Sequence, residues 1–417
     1  MTKPKGPRGV PDLFPPDSEL LTELEGTARA LFDRYGYRRV ETPLFEHTDV
    51  FERAVGETSE VVLDKQMYTF PDRRNRSLTL RPEATAGIAR AFVERDIAKK
   101  EALPVRLSTL GWMFRYERPQ KGRTRQFHQI DAECIGSAEP TIDAELITLA
   151  SQFFRACNLE PQLLLNSMGD PADRERYFPA LREALGDKAE DMCDDCQVRL
   201  ERNPLRVFDC KKPGCRRILR GDVPVITEFL CAECKEHFEE VQRILESLGI
   251  AWKNDPHLVR GLDYYTRTVF EFVLEGFGAR GTVCGGGRYD GLIELLGGDP
   301  TPAAGFAIGT EPVMVELRGT RELQGWKPDV YVVWLEGIAD VAMAVALDLR
   351  AAGLKVLVAD AARKIGAQLR AAAKTGAARA VILGPDEIAK KVATVRDLES
   401  SEQREVPLDT LVSELSA

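Results

Sequence analysis

The sequence predicts an α+β fold, and three observations predict it. Residues 114–133, FRYERPQKGRTRQFHQIDAE, read as strand, basic loop and strand. Residues 170–250 are helical, charged and cysteine-bearing with few strand signals, and strand patterning returns only at HLVRGLDYYTRTVFEFVLEG. From Lys327 onward short apolar strands alternate with helices, which is the signature of a separate α/β domain. Together they divide the chain at 1–169, 170–250, 251–322 and 327–417, with the second segment inserted into a core formed by the first and third.

Taken in order, residues 4–16 are an irregular Pro/Gly leader. A helix is expected from about Glu19 to Tyr35, capped by Asp17 or Ser18, with Leu20, Leu21, Leu24, Ala28, Leu31 and Phe32 as its apolar stripe. YRRVETPLFEH is extended, and Pro43 marks it as an edge or interface strand because proline cannot donate to a ladder. Residues 66–81 alternate around the turn PDRRNRS and read as a hairpin. Arg81 and Pro82 close a strand, and Glu83 and Thr85 open a helix, where an acid is often no more than a complement to the helix dipole. TIDAELITLASQFFRAC is a long amphipathic helix and PQLLLNSMG a buried strand. AAGFAIGTEPVMVEL is a strand, a turn at Gly309 and a helix start. In the last domain PDVYVVWL, KVLVAD, RAVILG and VATVRDL alternate with helices ending near Ala352 and spanning Arg363 to Lys374, so a mostly parallel sheet is expected. No GxGxxG turn follows its first strand, which excludes a dinucleotide-binding fold.

Composition narrows the function classes. A chain of 417 residues with 44% hydrophobic and 29% charged residues can bury large cores and is an ordinary globular protein. No apolar run reaches a membrane span and the N-terminus lacks a signal-peptide core, so a cytoplasmic protein without a membrane partner is expected. The net charge of -9 argues against a nucleic-acid-coating protein while leaving room for a local basic patch. With four histidines, a centre built on several imidazoles is not expected.

The basic loop carries Arg115, Arg118, Lys121, Arg123 and Arg125 within eleven residues. On the strand that follows, Phe127, Gln129, Asp131 and Glu133 share one face. Guanidinium forks suit bidentate recognition of phosphate, and carboxylate and amide groups beside them suit an ammonium or a ring nitrogen. A solvated charged hairpin is the plain alternative, but the mixed face favours a polar pocket.

RPEAT at 81–85, FRYER with FHQIDAE at 114–133, LVRGLDYYTRTVFE at 258–271, GGGRYDGL and GFAIG stand in an order that closely resembles the histidyl-tRNA synthetase family of class II aminoacyl-tRNA synthetases. The resemblance covers essentially the whole chain, and LVRGLDYYTRTVFE is its most specific element. It implies a class II antiparallel sheet as catalytic core, a C-terminal α/β domain that binds the anticodon stem-loop, and a homodimer formed around Pro43. It further implies activation of L-histidine by ATP with Mg2+ and transfer to the 3′ end of tRNA(His). By the same resemblance Arg115 and Arg260 clamp the α-phosphate, Glu117 meets the adenine edge, and Arg123 reaches the outer phosphates. Glu83, Thr85, Gln129 and Glu133 hold the amino group and orient the imidazole, and Tyr264 and Tyr265 line its pocket. Gly285 to Gly287 let the backbone approach the adenylate.

One departure stands out. The family pattern GFxxGxER places an arginine where this chain has Pro312 in GFAIGTEPV. Proline is sterically acceptable in a first helical turn, but a phosphate-gripping charge is gone. A regulatory paralogue, such as the regulatory subunit of an ATP phosphoribosyltransferase, is therefore the alternative, and a pure tRNA-binding module is a third. Of nine cysteines, Cys134, Cys157 and Cys284 are expected in the core. The other six lie between 193 and 234; the pairs Cys193/Cys196 and Cys231/Cys234 are two CxxC knuckles suited to structural zinc. The 34 residues between them exceed the usual ribbon spacing, Cys210 and Cys215 form a competing pair, and reduced spare thiols are the alternative.

Overall fold

The computed structural model describes residues 3–56, 66–120, 122–221, 223–275, 281–323, 325–360 and 364–416. It divides into two compact units, Met1–Leu323 and Gln324–Ala417.

The first unit holds eleven strands: β1 (Arg38–Arg39), β2 (Phe45–His47), β3 (Tyr68–Pro71), β4 (Ser77–Leu80), β5 (Val105–Phe114), β6 (Gln126–Ile135), β7 (Gln162–Ser167), β8 (Lys253–Asn254), β9 (Thr266–Val273), β10 (Thr282–Arg288) and β11 (Ala303–Gly309). Eight of them form one sheet in the order β1-β5-β6-β11-β10-β9-β7-β8, and β2-β4-β3 form a small second sheet. The six central strands pair antiparallel, and the two-residue edge strands β1 and β8 join in parallel. The β5–β6 hairpin runs in register from Phe114 opposite Gln126 to Val105 opposite Ile135, so the basic loop caps one end of the sheet.

Period-two alternation gives this sheet two different faces. On one, Ile130, Ala132 and Cys134 of β6 join Phe270, Phe272, Ala304, Phe306 and Ile308 beneath the helices Asp17–Arg34, Pro140–Ala156 and Thr310–Thr320. The helix Asp17–Arg34 buries the six residues its periodicity predicts. Its capping differs from expectation: Pro16 precedes it and no side chain caps it, so the apolar stripe alone fixes this element. On the other face a second core surrounds a polar cavity, built from the helices Thr48–Val55 and Thr85–Glu94 and from the segment 170–250. That segment is helical as expected, with helices Pro171–Leu185, Asp194–Arg202, Pro213–Leu219 and Ala232–Ser247. Cys134, Cys157 and Cys284 are buried.

The second unit contains β12 (Val330–Trp334), β13 (Val356–Val358), β14 (Arg379–Leu383), β15 (Val392–Asp397) and β16 (Gln403–Pro407), in the order β13-β12-β14-β15-β16. β12 pairs in parallel with β13 and β14, whereas β14–β15 and β15–β16 are antiparallel. The expected mostly parallel sheet is therefore a mixed one. The reason is connection length: only the short helix Pro385–Ala389 separates β14 from β15, too little chain for a crossover. The expected helix start at Arg363 lies outside the described residues; the helix runs Ile365–Thr375. Among the described residues, no helix is long and apolar enough to cross a membrane.

Candidate active site

The open face of the eight-stranded sheet encloses a cavity of about 600 Å³, within the range of small-ligand sites. Four pieces of chain build it. The β5–β6 hairpin brings Arg115, Glu117, Arg123, Gln129 and Asp131, and the start of the helix Thr85–Glu94 brings Glu83 and Thr85. The stretch before β9 brings Arg260, Tyr264 and Tyr265, and β10 and its end bring Gly285 and Tyr289. The turn after β11 adds Gly309, Glu311 and Pro312.

Of the eleven residues assigned by resemblance, nine line this cavity: Glu83, Thr85, Arg115, Glu117, Arg123, Gln129, Arg260, Tyr264 and Tyr265. Glu133 lies one step behind, fully buried, accepting hydrogen bonds from Thr85 Oγ1 at 2.6 Å and from the Tyr289 hydroxyl. Its partner across the ladder is Gly305, where any Cβ would collide with the Glu133 carboxylate, so the glycine of GFAIG makes room for that acid. Gly287 does not reach the cavity. Its absent side chain instead admits the backbone of Thr268 and Val269, and Gly285 is the glycine that faces the site. A Cβ at Gly285 would overlap the Arg260 guanidinium.

Electrostatics separates the cavity into an acidic floor and a cationic rim. Glu83 accepts from the backbone N–H groups of Thr85 and Ala86, each at 2.8 Å, so the capping role and the site role coincide in one carboxylate. Burial raises its pKa above the ordinary carboxylate value, against the pull of those hydrogen bonds and of Arg115. Burial, with Glu133 and Glu83 nearby, lifts Asp131 well above its usual range, and burial pushes Glu133 up to about 8. Gln129 Oε1 and Asp131 Oδ2 are buried without a hydrogen-bond partner among the described residues. Buried acceptors of this kind ordinarily find donors, so the floor is built for N–H groups and positive charge.

At the rim, Arg115 Nε donates to the Pro82 carbonyl at 2.8 Å, and its guanidinium lies 5.4 Å from the centre of the Phe127 ring. Arg260 pairs with Glu271 and sits over Tyr265 at 5.6 Å. Glu117 and Arg123 face each other at 3.6 Å. Lys121 lies outside the described residues. Tyr264, Tyr265 and Tyr289 form an aromatic wall, with ring centroids 4.7 Å and 5.4 Å from Tyr264 to its two neighbours. Pro312 is the third residue of the helix Thr310–Thr320, where a backbone N–H has no intrahelical partner to lose. Its neighbour Glu311 accepts from the His128 backbone at 2.8 Å, and burial raises its pKa to about 7.

With that geometry in place, comparison decides the family. The family model described as histidyl-tRNA synthetase matches residues 9–313. The chain belongs to the histidyl-tRNA synthetase family. An anticodon binding domain model matches residues 329–417. A histidine–tRNA ligase from Moorella thermoacetica is 47% identical over 414 residues, covering 97% of this chain and 96% of that protein. One from Bacillus cytotoxicus is 45% identical over 413 residues, covering 98% and 97%. The apo histidyl-tRNA synthetase of S. aureus superposes with a TM-score of 0.82 at 35% identity, covering the whole of both chains. The chain is thus a class II aminoacyl-tRNA synthetase fold with an anticodon-binding domain.

Four cavity residues escaped sequence reasoning as site residues: Asp131, Glu271, Tyr289 and Glu311. Asp131 had a signal, since it shares a face with Gln129 and Glu133. Tyr289 had only its place after the glycine run. The cysteine expectation needs correction. Cys193 and Cys196 gather with Cys210 and Cys215, whereas Cys231 and Cys234 gather with Asp170 and Asp173. The two CxxC knuckles therefore belong to different clusters, because the turn Pro204–Asp209 folds Cys210 back onto the first knuckle while the second opens the helix Ala232–Ser247.

Proposed function

We propose that this chain activates L-histidine with ATP and Mg2+ and transfers it to the 3′ end of tRNA(His). The observation that carries the reading is the pairing of orphaned acceptors on the floor, Gln129 Oε1 and Asp131 Oδ2, with the guanidiniums of Arg115 and Arg260 in one cavity. An amino acid presents an ammonium to such a floor and a carboxylate towards such a rim. The histidine carboxylate oxygen attacks the α-phosphorus, forming one P–O bond as the bond to pyrophosphate breaks. Arg115 and Arg260 stabilise the charge that gathers on the phosphoryl oxygens. Glu117 takes the adenine edge and Arg123 the outer phosphates. Gln129, Glu83, Thr85 and the Glu133–Tyr289 pair hold the ammonium and the imidazole, with Tyr264 and Tyr265 as walls. Because both sides of the ring are met by polar groups, an apolar amino acid would leave buried groups unpaired and be rejected strongly. A ribose hydroxyl of the tRNA then attacks the acyl carbon and AMP leaves.

The reading includes a cytoplasmic homodimer joined around Pro43. Leu44 and Phe45 beside it, and Phe70 against Phe45, are exposed apolar side chains that suit a contact between copies. The regulatory alternative rests on Pro312 alone, and the anticodon-binding domain and full-length ligase relatives weigh against it. Charging of labelled histidine onto bulk tRNA tests the proposal. Histidine incorporation supports it, and a pure, magnesium-supplied protein that charges no tRNA contradicts it.

A further inference from the structure

Beside the catalytic cavity lies a cluster the activation chemistry does not use. The sulfurs of Cys193, Cys196, Cys210 and Cys215 all lie within 4.8 Å of one another, and none is in a disulfide. Cys196, Cys210 and Cys215 are buried. Cys193 Sγ and Cys210 Sγ are 3.9 Å apart, too far for a disulfide. A tetrahedron with zinc–sulfur bonds of ~2.3 Å places its sulfurs roughly 3.8 Å apart. The Cys193 backbone N–H already donates to Cys215 Sγ at 3.2 Å, a bond that favours a thiolate there. In sequence the pairs are CxxC and CxxxxC, both within metal-ligand spacing.

The second cluster differs in kind. Asp170 and Asp173 form the reciprocal cap of the helix Pro171–Leu185, Asp173 also accepts from the Cys231 backbone, and Cys231 caps its own helix. Hydrogen bonding within the fold accounts for those four residues. Nothing comparable accounts for four sulfurs packed together.

The tetrathiolate cluster is tied to the active site at two points. Arg206, in the turn between the two cysteine pairs, is 3% exposed. It donates to the carbonyls of Arg260 at 2.8 Å and Gly261 at 2.9 Å, so it fixes the backbone of the rim arginine. Cys210, Lys211 and Arg216 themselves line the cavity. We propose that Cys193, Cys196, Cys210 and Cys215 bind one zinc ion, and that this centre positions Arg260 through Arg206 and holds Lys211 and Arg216 at the cavity mouth, where they restore cationic charge opposite Pro312. Binding releases four thiol protons and leaves a Zn(Cys)4 unit of charge -2, with no redox step. The coupling to ATP rests on the proposed activation reaction; the metal site does not.

The test uses the full chain. Metal analysis should find one zinc per chain, and cobalt replacement should give the visible absorption bands of a tetrahedral thiolate site. Cys210→Ser and Cys215→Ser should each lose the metal, while Cys231→Ser/Cys234→Ser keeps it. A chain that binds neither zinc nor cobalt, or that loses zinc only in the Cys231/Cys234 variant, overturns the site. For the coupling, Lys211→Ala and Arg216→Ala should retain zinc and raise the KM for ATP about tenfold with the KM for histidine little changed. Arg206→Ala should keep zinc and lower kcat, with partial recovery in Arg206→Lys. Unchanged kinetics in all of these would refute the coupling. Absence of any histidine activation in a zinc-loaded wild type would refute the proposed function and leave the metal result standing.

Discussion

Two faces of one strand, β6, carry opposite chemistries. Ile130, Ala132 and Cys134 point into a dry core under three helices, and Gln129, Asp131 and Glu133 point towards the cavity. The first set stabilises the fold by removing apolar surface from water. The second set does the reverse, holding acids and unpaired acceptors out of water at a cost that a cationic ligand would offset. A single ten-residue segment thus divides its labour between stability and recognition, and the two can be perturbed separately.

The largest separation should come from Arg115→Ala. It should lower the rate of histidine activation by about 10²–10³, on the order of 3–4 kcal/mol in the transition state, with little change in the urea midpoint. Ile130→Ala on the opposite face should do the converse. It should cost about 2–5 kcal/mol of unfolding free energy while the folded fraction keeps its turnover number, as urea titration and active-site titration together would reveal. Equal loss of activity and stability in both variants would dissolve the distinction between the faces.

A smaller effect sharpens the same contrast. With its pKa up at about 8, Glu133 keeps a proton in the ligand-free folded chain that it loses in the unfolded chain above the model value of 4.5. The folded state therefore binds more protons across that window, and the contribution of Glu133 makes stability fall as pH rises from about 4.5 to 8. Glu133→Gln should flatten that decline in denaturation midpoints measured between pH 5 and 8. An unaltered slope would mean that Glu133 is not a protonated acid in the free protein. The smallest expected change is at Pro312→Arg, which should lower the KM for ATP a few-fold; no change would fit a mouth already supplied with charge by Lys211 and Arg216.

Legibility followed the range of the interactions. Helix Asp17–Arg34 was readable because its six buried residues repeat at helical spacing, and the β5–β6 hairpin because its alternation flanks a turn. The paired carboxylate and guanidinium groups were readable as motifs, and nine of eleven assigned residues share the cavity. Tyr289 was not, since only the antiparallel neighbours β10, β11 and β6 bring it to Glu133, 156 positions away in sequence. Gly287 was misplaced because three successive glycines give no sign of which one faces the site. The cysteines failed for the same reason: their grouping depends on how the turn Pro204–Asp209 folds back, which local spacing does not specify.

The central claim is that this cavity activates histidine and no other amino acid. ATP–pyrophosphate exchange, run on the purified magnesium-supplied chain with each of the twenty amino acids singly, tests it most directly. The account predicts exchange with histidine alone. Exchange with another amino acid would contradict the pocket assignment, and silence with all twenty, in both the wild type and Pro312→Arg, would contradict activation itself.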